Sequence, residues 1–154
     1  MLILGTIPGP ESLRQRQYYA NPGNQFWSII YRVFGEDKPE SSYELKLRFL
    51  LERRIALWDV FNTAKRHGAL DADIRDPEPN DVRGLIQRYP RVKRILLAGR
   101  TAERAFAAFF PDVPVDAFYV PSASSAYAKI PVDSKISMWK EAIGDSTGFF
   151  VNVE

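Results

Sequence analysis

Four short apolar runs, each broken off by a glycine, a proline or a polar turn, govern what this chain can fold into. They are Leu2–Leu4 before Gly5, Ile55–Val60, Arg94–Ala98 before Gly99, and Ala117–Val120 before Pro121. Runs this short, without polar alternation, suit strands covered on both faces, the usual condition of a parallel sheet. Helix-like segments separate them. QFWSIIYRVF, capped by Asn24, carries Phe26, Ile29, Ile30 and Val33 on one face. ELKLRFLLERR follows a Ser41/Glu44 capping-box spacing, Asn80 caps a short helix that stops at Pro90, and Thr101 caps one running to Phe110. A last helix runs from Asp133 to Ile143, with Ile136, Trp139 and Ile143 on its apolar face and Gly144 just past its end. The final FFVNVE reads as an edge strand or a tail. The alternation predicts an α/β fold, a three-layer α/β/α sandwich around a central, mainly parallel four-stranded sheet.

The 154 residues are expected to form one domain, 1–154, with a core of its own. No apolar run approaches the ~18 residues of a membrane span, and MLILG lacks the basic start of a signal peptide. No membrane association is therefore expected. With no cysteine and His67 as the sole histidine, neither a disulfide nor a zinc site is expected, and no cofactor is implied. The missing cysteines fit a cytoplasmic protein. A formal net charge of +2 leaves nucleic acid open as a partner, since a local basic face is enough to bind it.

In sheets of this kind ligands gather beyond the carboxyl ends of the strands. The segments GTIPG, DVFNT, AGRTA and PSASSAYA are therefore where a site is expected. In GTIPG the glycines Gly5 and Gly9 allow backbone amides to face an anion or a water, or they simply make a turn; no Gly-Lys-Ser follows, so it is not a Walker loop. The loop from Thr6 to Gly23 is long enough to suggest function. It ends in YYANPGN before Phe26 and Trp27. Tyrosine faces can stack on bases. Asn24 can orient a water or hold a base edge, or only cap its helix. Phe26 and Trp27 have the spacing of core residues. His67, in KRHG, reads as an exposed loop residue, and Arg53-Arg54 and Lys65-Arg66 read as solvated pairs or as phosphate contacts.

GTIPGPESLRQRQYYANPGNQFW resembles the opening motif of the hypoxanthine-DNA (deoxyinosine) glycosylase family, a branch of the uracil-DNA glycosylase superfamily. The similarity continues through IALWDVFNTAKRHGALDADI and PNDVRGLI to VPSASSAYAKIPVDSKISMWKEAI, nearly the whole chain. The resemblance implies a base-excision glycosylase acting on DNA that contains a deaminated base, with no obligatory protein partner, and a nucleoid-associated setting of prokaryotic type. It places water alignment on Asn24, because Ile7 stands where other branches carry an Asp or Asn. It places base stacking on Tyr19 and base-edge reading on Asp59. Gly5, Ile7, Pro8 and Gly9 fall on the base-binding loop. Ser12, Ser122, Ala123, Ser124, Ser125 and Tyr127 fall on DNA-contacting segments. Two positions depart from the family pattern, Ser125 for a proline and Tyr127 for an asparagine, and Tyr127 is bulky enough to serve as a wedge.

The residue types suit that chemistry. A base in duplex must be extruded before its glycosidic bond can be reached. Breaking the bond builds positive charge on the sugar and negative charge on the base, so oriented donors can do most of the work. Hypoxanthine and uracil both carry a ring N–H beside a carbonyl. An ionised Asp59 can accept that N–H, while amides near Gly9 bind the carbonyl. Asp59 also suits a plain turn cap. No lysine is placed to form a Schiff base with the sugar, so strand cleavage is not expected. The alternative is a non-catalytic nucleic-acid-binding domain on the same fold.

Overall fold

Leu2, Ile3 and Leu4 are all buried, and they belong to two different cores. Ile3, with Leu96 and Val120, meets Phe26, Ile29, Ile30, Leu50 and Trp139. Leu2 and Leu4, with Ile95 and Leu97, meet Val82, Ile86, Ala102 and Phe106. Side chains alternate across a strand, so one continuous apolar run supplies both faces of a sheet. The computed structural model, which describes residues 1–68 and 70–144, gives that sheet four parallel strands. They are β1 (Leu2–Gly5), β2 (Ala56–Asp59), β5 (Arg94–Ala98) and β6 (Asp116–Val120), in the order β2-β1-β5-β6. Helices α2 (Phe26–Val33), α3 (Tyr43–Glu52) and α6 (Val132–Ile143) build one core; α4 (Val82–Arg88) and α5 (Arg100–Phe109) build the other. The expected three-layer sandwich is what forms. No helix among the described residues is long and apolar enough to cross a membrane.

Several local expectations are corrected. The Thr6–Gly23 loop contains a helix, α1 (Pro10–Gln15), entered through Gly9 with Pro10 in its first turn. Proline suits that position because its missing N–H would be unpaired anyway. The cap of α3 is Ser42, whose hydroxyl accepts from the Leu45 N–H, and not Ser41. Asp81, not Asn80, caps α4 through the Gly84 N–H. Gly99 precedes α5, and Thr101 lies inside it. Between β2 and α4 the chain forms an antiparallel hairpin, β3 (Phe61–Arg66) and β4 (Ile74–Pro79), separate from the main sheet and joined through a 3-10 turn at Asp71–Asp73. His67 is exposed near its tip. The FFVNVE segment lies outside the described residues.

Candidate active site

The carboxyl ends of β1 and β2 lie side by side, with Gly5 in register with Asp59. The chain then turns through Val60 and Phe61, whose N–H groups donate to the Gly5 and Thr6 carbonyls. Asn80 fixes this corner with its Nδ2, donating to the Asp59 and Phe61 carbonyls at 2.9 and 3.1 Å. The Asp59 side chain is thereby brought over Gly5. A Cβ built on Gly5 would sit 2.7 Å from Asp59 Oδ1 and 3.3 Å from the Tyr19 hydroxyl. Only glycine leaves room there for both groups.

Asp59 is 6% exposed. Burial, and then the charge of Asp71, push its carboxyl up to about 7, against the pull of Arg66. Asp71 reaches the site from the hairpin: its Oδ1 accepts from Thr6 Oγ1 at 2.7 Å. Burial raises Asp71 as well, opposed by that hydroxyl and by Arg66. Arg66 donates to the Pro8 carbonyl at 2.7 Å and so pins the hairpin to the Gly5–Gly9 loop. A buried carboxylate, Asp59, and a half-buried one, Asp71, therefore flank the Gly5–Thr6 backbone, with one arginine near both. With its carboxyl raised to about 7, Asp59 is available near neutral pH both as a carboxylate that accepts and as an acid that donates a hydrogen bond.

Tyr19 is held in the left-handed region at φ 55°. Its ring stacks on Phe26, with centroids 4.0 Å apart. Burial beside Asp59 raises its hydroxyl, which stays protonated. The Tyr18 carbonyl accepts from Trp27 Nε1 and the Tyr18 N–H donates to the Tyr43 hydroxyl, so the segment entering the site is tied to α2 and α3. Phe26 and Trp27 are core residues, as their spacing predicts. Asn24 sits one step from this stack: its Oδ1 accepts from the Phe26 N–H at 2.9 Å, and its own N–H closes a turn on the Asn21 carbonyl. A carbonyl oxygen has two lone pairs, so the second is left for a water.

The loop after β6 meets Asn24 from the other side. The Gln25 N–H donates to the Ala123 carbonyl at 2.8 Å, and a Cβ on Gly23 would sit 3.1 Å from Ser125 Oγ. Ser122 and Ser124 turn their hydroxyls back onto the N–H groups of Ser124 and Ala126. Trp139 Nε1 holds the Pro121 carbonyl at the loop's root. Ser125 is exposed, whereas Tyr127 is half-buried, against Tyr119 and over Lys135. Ser12 is nearly buried, with its hydroxyl accepting from the Ala20 N–H. Ile7 packs against the core of α4 and α5, the Pro8 carbonyl serves Arg66, and Gly9 faces open space.

The structure thus joins Gly5, Tyr19 and Asp59 directly, and links them to Asn24 through Phe26. It adds Thr6 and Asp71, together with Gln25 and Lys135, which sequence reasoning did not single out, and Arg66, which the sequence suggested only as half of a basic pair and which instead donates to the Pro8 carbonyl. The chain matches the model of the uracil DNA glycosylase superfamily over residues 1–143. It is 45% identical over 102 residues to a protein of Methanosarcina acetivorans named hypoxanthine DNA glycosylase, covering 66% of this chain and 65% of the relative. A Methanosarcina barkeri protein of the same name is 41% identical over 100 residues, covering 65% and 63%. The matched stretch therefore spans just under two thirds of each of these relatives. A chain from M. acetivorans solved by NMR, carried under the provisional name uracil DNA glycosylase, superposes with a TM-score of 0.76 at 35% identity, covering 93% of this chain and 90% of that one.

Proposed function

The chain belongs to the uracil-DNA glycosylase superfamily, and from that membership we propose that it is a monofunctional DNA glycosylase that removes a flipped-out deaminated base, hypoxanthine or uracil. The observation that carries this reading is the convergence of Asp59, Gly5 and Tyr19 at the ends of β1 and β2, with Asn24 two residues before Phe26 of the same aromatic stack and bonded to its N–H.

In this reading the extruded base enters over Gly5. Tyr19 uses one face on Phe26 and offers the other to the base. Ionised Asp59 accepts the ring N–H that hypoxanthine and uracil share. Adenine presents a bare ring nitrogen at that place and would meet the carboxylate lone pair to lone pair. This selects lactam bases by the cost of leaving a buried acceptor unpaired. As the glycosidic bond lengthens, amides of the Gly5–Gly9 loop stabilise charge on the base oxygen. The Asn24 carbonyl orients a water towards the sugar carbon as positive charge develops there. No covalent bond to the protein forms, and the product is an abasic site.

The test is single-turnover excision from oligonucleotides carrying deoxyinosine, deoxyuridine or deoxyxanthosine, with products opened by alkali. The native chain should give alkali-labile sites without direct strand breaks. Asn24→Ala should lower the rate by ~10²-fold or more, the scale of losing one oriented group, with DNA affinity little changed. An Asn24→Ala protein cutting at the native rate would move water alignment elsewhere. A native chain that binds these oligonucleotides and cuts none of them would make it a binding module.

A further inference from the structure

Lys135 is the most deeply buried cation in the described chain, 1% exposed, in the first turns of α6. None of the ion pairs among the described residues includes it. Its Nζ donates to Gln25 Oε1 at 2.9 Å and lies 5.7 Å from the Tyr127 ring centroid. Gln25 is therefore held twice from the same side, by Ala123 through its backbone and by Lys135 through its side chain. It directly follows Asn24. Tyr127 is the large residue of the segment expected to meet DNA. A lysine that only stabilised α6 would point to solvent or to a carboxylate, because burying an unpaired ammonium is costly. This one is turned inward, onto the junction of two functional segments.

We infer that Lys135 is a positioning residue for Asn24: through Gln25 it sets the water-aligning asparagine at a fixed distance from the loop that engages DNA. The inference rests on the reading of Asn24 given above and adds to it the support that keeps Asn24 in place. The Arg32–Asp133 bridge at 2.7 Å and the packing of α2 on α6 make the two helices the rigid mount on which the link acts. Since α6 follows directly from the loop after β6, DNA pressing on that loop is felt at Gln25.

The discriminating experiment is a double-mutant cycle on single-turnover excision of deoxyinosine. Lys135→Met keeps the stem and removes the ammonium, and thermal melting should show stability kept or raised, since a buried charge has been deleted. Its maximal rate should fall roughly 10- to 100-fold, the scale for misplacing a reacting group by about 1 Å, while DNA affinity stays within about twofold because no phosphate contact is lost. Placed on Asn24→Ala, Lys135→Met should cost nothing further, since its partner in the effect is already gone. Gln25→Met should reproduce the fall in rate. A Lys135→Met or Gln25→Met protein that excises at the native rate overturns the inference. So does a Lys135→Met loss that persists undiminished on Asn24→Ala, which would make it a general structural effect. If Asn24→Ala alone keeps the native rate, the reading of Asn24 fails and the inference with it; the other two outcomes leave that reading intact.

Discussion

Replacing Asp59 with asparagine should make this protein more stable and a worse catalyst, and the stability gain should depend on pH in a defined direction. In the folded chain Asp59 keeps its proton up to about 7, whereas an ordinary aspartate loses it at 3.8. Between those values the native state binds more protons than the unfolded chain, so stability falls as pH rises. The contribution is fully present below 3.8 and fully lost above about 7. At about 1.4 kcal/mol per tenfold change in proton affinity, the upper bound of that loss is ~4 kcal/mol. The Asn amide gives back ~1–3 kcal/mol of this, because its N–H groups also need partners in a buried place. A net gain of ~1–3 kcal/mol at pH 8 corresponds to ~3–10 °C in melting temperature for a chain of this size. Near pH 4, where native Asp59 is protonated and carries no charge penalty, the variant should lose that advantage and melt at or below the native protein, by up to the ~1–3 kcal/mol of the amide's own burial cost. Excision should run the other way: in the proposed reading ionised Asp59 accepts the base N–H, so the native rate should rise with pH through about 7, and the variant should lose that rise. Paired thermal melts and single-turnover rates from pH 4 to 9 check both halves. An Asp59→Asn protein that melts lower than native at pH 8, or gains equally at pH 4, would refute the idea that burial holds a carboxyl with a raised proton affinity at this strand end.

Gly5→Ala should push a methyl group into Asp59 and the Tyr19 hydroxyl, costing ~1–3 kcal/mol by overpacking and slowing excision; an alanine variant with native melting and native rate would mean that the corner is looser than described. Tyr127→Ala should slow excision from paired duplex more than from single strands, because a wedge recovers part of the flipping cost only in duplex. Equal slowing on both substrates, measured side by side, would make Tyr127 a prop for its loop against Tyr119 and Lys135.

The main sheet was legible because its strands are continuous apolar runs, and Ile3 and Leu4 serve opposite faces without any polar interruption. Asp59 and Asn24 were legible as polar residues standing where such strands and helices end. The caps were missed by one residue where two capable side chains adjoin. Ser41 and Ser42 both suit the role, as do Asn80 and Asp81, and tertiary demands decided between the second pair by taking the Asn80 amide for the Asp59 and Phe61 carbonyls. The hairpin was invisible because β4 reads IRDPEP, with two prolines and with Asp76 at φ 48°, each contrary to strand expectation. With the hairpin went Asp71, whose contact with Thr6 spans 65 positions and leaves no local signature. Lys135 was hidden differently: a lysine in an amphipathic helix is ordinarily a solvent residue, and only packing shows otherwise.

That hairpin has a consequence for how such a protein can diversify. β3 and β4 pair only with each other, outside the four-stranded sheet, yet they deliver Asp71 and Arg66 to the edge where a base would be read. Asn24 and Gln25 lie on the approach to α2 and Lys135 on α6, and among the described residues the hairpin pairs with neither. In the proposed reading, the hairpin's part in base selectivity, made through Asp71 and Arg66 beside Asp59, thus lies on a piece of chain separate from Asn24. If the proposed function holds, substitutions in the appendage would retune which base is accepted while Asn24 and the sheet beneath it are inherited unchanged.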